Sequence, residues 1–111
     1  MIHVTIYQNS QKECIGFGTK GHAGYKDEGQ DIVCAAASVL MINTVNAIEL
    51  YTPDDCSVVS DEEAGMLSCL LNSSHPSQSA GLLLKTMVLG LESMADDENY
   101  AEYIDLIFEE V

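Results

Sequence analysis

Gly21–Ser38 reads GHAGYKDEGQDIVCAAAS, and this stretch decides how the rest of the chain is understood. Upstream of His22 apolar and polar residues alternate as in a strand, whereas downstream of Asp31 the chain becomes an unbroken apolar run that begins with small residues. A strand therefore ends at His22 and a helix begins around Asp31 and Cys34. The connection between them is bordered by Gly21, Gly24 and Gly29, which suit either simple turn geometry or a loop that closes over a substrate.

A cysteine is nucleophilic as its thiolate, and a free thiol has a pKa of about 8.5. With Asp31 as the helix cap, Cys34 falls at the third helical residue, where unpaired backbone N–H groups and the dipole favour a negative sulfur. Asp31 itself opposes a second anion in that turn, so an imidazole must supply the remaining stabilisation and act as base. His22, delivered to the same end of the sheet, is the candidate. Asp31 has two open roles, as cap alone or as a third group that orients the imidazole. Ser38, one turn beyond Cys34 on the same helix face, either bonds back to a helix carbonyl or supports the site.

GHAGY, a short loop with Gly29 and then DIVCAAAS resembles the signature of the ribosomal-processing cysteine proteases. The specific motif covers Gly21–Ser38, and the similarity in length and element order extends over nearly the whole chain. The resemblance implies His22 as base and Cys34 as nucleophile. It also implies a homodimer, and cleavage after an aromatic pair near the N-terminus of a large-subunit ribosomal protein precursor, number twenty-seven.

Working outward, IHVTIYQ (2–8) places Ile2, Val4 and Ile6 on one face and His3, Thr5 and Tyr7 on the other, as in a half-buried strand. Asn9, Ser10 and Gln11 make a polar turn into a second strand over Glu13–Thr19. A helix is expected from Asp31 to about Tyr51, ended by Thr52 and Pro53. It is apolar nearly all round in its first half, which implies cover on most of its surface. Cys56–Ser60 and Met66–Leu71 form a second hairpin across an acidic turn, and a second helix runs from roughly Ser77 to Asp96. Leu84, Met87, Val88, Leu91 and Met94 make its core stripe. YIDLIFEEV closes the chain as a fifth strand, with a terminal helix as the competitor.

The expected fold is α+β, in the order β-β-α-β-β-α-β, with a mostly antiparallel five-stranded sheet and both helices on one face. At 111 residues the chain is one domain, 1–111, and with 47% hydrophobic residues it can bury a core without metals or disulfides. No basic, apolar and cleavable N-terminal pattern is present, and the apolar runs read as shorter than the roughly 18 to 20 residues of a membrane span. A cytoplasmic protein with free thiols is expected. Cys14, Cys34, Cys56 and Cys69 show neither C-x-x-C pairing nor histidine at ligand spacing, so no metal is expected, and nothing calls for a cofactor.

Eighteen acidic residues against four basic ones give a formal charge of −14, which repels phosphate backbones and anionic lipids. Direct nucleic-acid or membrane binding is thereby disfavoured. A basic ribosomal protein suits such a surface as a partner, although acidity also serves plain solubility. His3 reads as an outward strand residue and His75, before Pro76, as a loop residue that competes weakly for the base. Two other functions compete with catalysis: a non-catalytic acidic binding module and a chaperone for basic ribosomal proteins.

Overall fold

A computed structural model describes residues 1–21, 28–61, 63 and 65–111, with residues 28–31 described through their backbone. Strands β1 (Ile2–Gln8) and β2 (Cys14–Lys20) form the first hairpin and lead to helix α1 (Glu28–Tyr51). Strands β3 (Cys56–Asp61) and β4 (Met66–Leu71) form the second hairpin, followed by α2 (Gln78–Asp96) and β5 (Ile104–Glu110). The element order is the expected one, and the terminal segment is a strand.

The sheet order is β3-β4-β2-β1-β5. β1–β2, β2–β4 and β3–β4 are antiparallel, while β5 lies parallel to β1, so the sheet is mixed. The parallel pair follows from connectivity. β4 runs in the direction of β1, and α2 carries the chain back so that β5 enters the same way.

The sheet is mostly antiparallel, as expected, and two expectations are corrected. First, α1 begins at Glu28, so Asp31 is a residue of its first turn and not its cap, and Gly29 belongs to the helix instead of the loop. Glycine is least costly there, because the first turn has no intrahelical N–H bonds to lose, and the acidic sequence of the turn suits the positive end of the dipole. Second, Ile32–Tyr51 is long and apolar enough by length and composition to span a membrane, contrary to the reading of short apolar runs. One stripe of that helix, Val33, Ala37, Met41, Val45 and Ile48, is buried in the core. On its other side Ile32, Val39 and Ile42 are each about half exposed or more, so the expected cover on most of its surface is not provided by the described residues.

The core is one cluster. Ile2, Val4 and Ile6 of β1, Ile15 and Phe17 of β2, and Leu84, Met87 and Leu91 of α2 pack with the α1 stripe, which puts both helices on one face of the sheet. Met94 only borders this cluster. The opposite face presents His3, Thr5 and Tyr7 and, among the described residues, carries no helix. At the helix crossing, a Cβ on Gly90 would come within 2.7 Å of Leu40, so the two helices pack closely there because that position lacks a side chain.

Polar clamps hold the ends of the elements. The buried Asn9 accepts from the backbone N–H groups of Gln11 and Glu13 through Oδ1 and donates through Nδ2 to the Ser74 carbonyl at 2.8 Å. It thereby ties the first turn to the loop before α2. Ser77 caps α2 by accepting from Ala80 N–H, and its own N–H donates to Asp54 Oδ2 at 2.9 Å.

Candidate active site

Cys34 and Ser38 lie on α1, one turn apart, and both line a cleft of about 320 Å³. Ala37, Met41 and Ile42 continue the helix wall, and Gly21 at the exit of β2 stands opposite. Gly21 has φ +93°, and a Cβ there would approach the Met1 carbonyl oxygen to 2.6 Å, so this corner demands glycine on both grounds. Ser60, Asp61, Gly65, Met66 and Leu67 of the second hairpin complete the cleft.

The structure thus brings Cys34, Ser38 and Gly21 to one cleft. His22, which follows Gly21 in the chain, lies outside the described residues, as do Gly24 and the side chain of Asp31. Thr44, Thr86 and Ser93 bond back to the carbonyl four residues earlier, whereas Ser38 makes no such bond among the described residues.

The helix start changes the electrostatics expected of Cys34. Six positions beyond Glu28, Cys34 is in the second turn of α1 and not in its first. The dipole effect falls off within one turn, so it contributes less to a thiolate at Cys34 than the shorter helix would have implied. More of the activation must come from a base.

The other cysteines occupy different surroundings. Cys69 is 1% exposed in the core, and burial, followed by the neighbouring Cys56, pushes its thiol up to about 12. Burial also raises Cys14, against a lowering contribution from the Gly16 carbonyl that its thiol contacts at 3.4 Å. Cys56 is half-buried on β3 and turned with its partner Leu71 toward the core. Of the four thiols, Cys34 alone lines the cleft.

The two described histidines are elsewhere. His3 sits on the open sheet face with Nδ1 2.9 Å from Asp105 Oδ2. His75 is exposed in the β4–α2 loop, where its N–H donates to Ser73 Oγ. Neither lines the cleft, and among the described residues no group of three His, Cys, Asp or Glu is placed to hold a metal ion.

Sequence reading did not find the second wall of the cleft. Ser60, Asp61 and Met66 are about thirty residues from Cys34, and only the acidic turn between two strands hinted at a surface feature there.

The family model described as cysteine protease Prp matches residues 1–105. The chain belongs to the Prp family. It is a cysteine protease, and the acidic binding-module and chaperone readings are set aside. The ribosomal processing cysteine protease Prp of Staphylococcus aureus is 32% identical over 106 residues, covering 96% of this chain and 97% of that protein. An essential ribosomal processing protease Prp from S. aureus, solved with a substrate peptide, superposes with a TM-score of 0.88 at 29% identity, over 98% of this chain and 100% of that one. A second S. aureus Prp structure, with a covalently linked product peptide, gives 0.84 at 31% identity, with coverage of 98% and 100%.

Proposed function

We propose that this Prp family member removes the N-terminal extension of the large-subunit ribosomal protein number twenty-seven, with Cys34 as nucleophile and His22 as base. The observation that carries the reading is the placement of Cys34 on the cleft beside Gly21, in a chain where burial raises the thiols of Cys14 and Cys69. The S. aureus relatives solved with substrate and covalently linked product peptides support a peptide substrate and a covalent route.

In the reaction, His22 takes the Cys34 proton and the thiolate adds to the scissile carbonyl carbon. Collapse of the tetrahedral adduct breaks the C–N bond, and His22 passes the proton to the leaving amine. Water, deprotonated by His22, then adds to the thioester, releasing the carboxylate and returning the thiol. Because Cys34 stands in the second helical turn, its own N–H belongs to the helix ladder, and oxyanion donors have to come from outside that turn. With capping removed from Asp31, we assign it the orienting role toward His22. Ser38 supports the cleft wall beside the nucleophile, and Gly21 provides the turn at the exit of β2 that leads to His22.

The charge of −14 favours encounter with a lysine- and arginine-rich precursor and disfavours nucleic acid and membrane surfaces. The exposed apolar side of α1, with Val39 68% exposed, supports a homodimer, and the cytoplasm is where we place its work. Incubating the enzyme with the extended ribosomal protein and following mass tests the function. A discrete N-terminal cut, lost in Cys34→Ala and His22→Ala, is expected; an intact precursor overturns the substrate assignment.

A further inference from the structure

A five-stranded open sheet has two edges, and here they are built differently. The β5 edge carries Asp105, Glu109 and Glu110, the kind of charge that keeps other chains from pairing. β3 reads CSVVSD, with no lysine, proline or bulge, and both Val58 and Val59 are exposed, at 43% and 54%. Its six residues pair with β4 in unbroken register. The unprotected edge is therefore β3, and its C-terminal residues Ser60 and Asp61 already line the cleft of Cys34.

The hydrogen-bonding direction of each β3 residue follows from the ladder. Asn72 N–H donates to the Asp55 carbonyl at 2.9 Å, so 55 and 72 form a hydrogen-bonded pair, one step beyond the Cys56–Leu71 pair. Antiparallel pairs alternate, which turns the N–H and C=O groups of Ser57, Val59 and Asp61 toward β4 and those of Cys56, Val58 and Ser60 outward. The same alternation carried across the sheet turns Ile2 toward β5, and Ile2 N–H does donate to the Tyr103 carbonyl at 2.8 Å. Three residues thus offer main-chain groups along an edge that runs straight from the cleft.

We propose that the substrate polypeptide adds to β3 as an extra strand, pairing with Val58 and Ser60 while its scissile bond lies at Cys34. This rests on the protease reading above. The partner is an extended peptide because main-chain groups, and not a shaped pocket, are what the edge presents. Continuity with the cleft selects the substrate as that peptide. Side chains on alternate residues of the bound segment lie toward α1, where Ile42 is exposed and lines the cleft.

Val58→Pro removes an outward donor and leaves the inward bonds of Ser57, Val59 and Asp61 in place, which an edge strand tolerates. For a peptide spanning the junction of the extended ribosomal protein, the variant is expected to raise KM roughly three- to tenfold with kcat little changed. A second measurement guards against misfolding. The same peptide carrying single backbone N-methyl groups is titrated against Cys34→Ala, which reads binding without turnover. Losses that alternate between successive residues on one side of the scissile bond are expected. Uniform or absent N-methyl effects overturn strand addition, as does an unchanged KM in a folded Val58→Pro. Failure of the native enzyme to cut a peptide that Cys34→Ala binds with alternation would instead overturn the substrate reading and leave the strand pairing in place.

Discussion

Alkylation of the native protein by iodoacetamide at pH 7 should mark Cys34 and spare Cys69 by a wide margin. The rate depends on the thiolate fraction. With its thiol pushed up to about 12 by burial and Cys56, Cys69 is ionised in roughly one molecule in 100,000 at that pH. An ordinary free thiol with a pKa of about 8.5 is ionised to about 3%, some 3,000-fold more. Steric exclusion adds to this, because Cys69 is 1% exposed in the centre of the sheet whereas Cys34 opens on a cleft of about 320 Å³. The assay is peptide mapping by mass spectrometry over a time course, with denatured protein as the control in which all four cysteines react. If His22 is the base, His22→Ala should slow labelling of Cys34 toward the rate of a simple thiol. Labelling of Cys69 or Cys14 as fast as Cys34 in folded protein would refute the argument that burial has silenced them.

The same burial gives a pH signature of stability. The folded-state pKa of Cys69 is above its unfolded value of about 9, so its contribution is fully present below pH 9 and is lost as pH rises through about 12. Melting temperatures should fall across that alkaline range, and Cys69→Ala should flatten the fall; an equally steep fall in the variant would contradict the assignment. Asp31→Asn is expected to leave thermal stability nearly unchanged, since the residue is not the cap of α1, yet to lower kcat/KM about a hundredfold by depriving His22 of its orienting carboxylate. Near-normal turnover in that variant would remove Asp31 from the mechanism.

Much of the fold was legible because its signals in the sequence are local. Alternation in IHVTIYQ and in IDLIFEE marks strands, and the spacing of Leu84, Met87, Val88 and Leu91 marks a helix packed on a core. A period of two says that a segment is a strand but not which neighbour it joins or in which direction, so the parallel β1–β5 pair emerged only from the structure. The start of α1 was misplaced for a related reason. Asp31 precedes the apolar run as a cap would, but the helix extends one turn upstream through polar residues and Gly29, where hydrophobic period is silent. The side of the cleft that carries Cys34 and Ser38 could be read from one motif, because those residues are neighbours on one helix. Ser60, Asp61 and Met66 come to the same cleft through the pairing of β3 with β4 and of β4 with β2, a long-range relation without a local mark. The openness of α1 was equally illegible: an apolar helix does not reveal whether its own chain covers it.

The central claim is a covalent intermediate on Cys34, and acid-quenched mass spectrometry of the enzyme during turnover of the extended ribosomal protein tests it most directly. The account predicts an enzyme species heavier by the N-terminal extension less one water, mapping to Cys34 and absent from Cys34→Ala, which should not cut. Cleavage that persists in Cys34→Ala, or an acyl adduct on another residue, would contradict it.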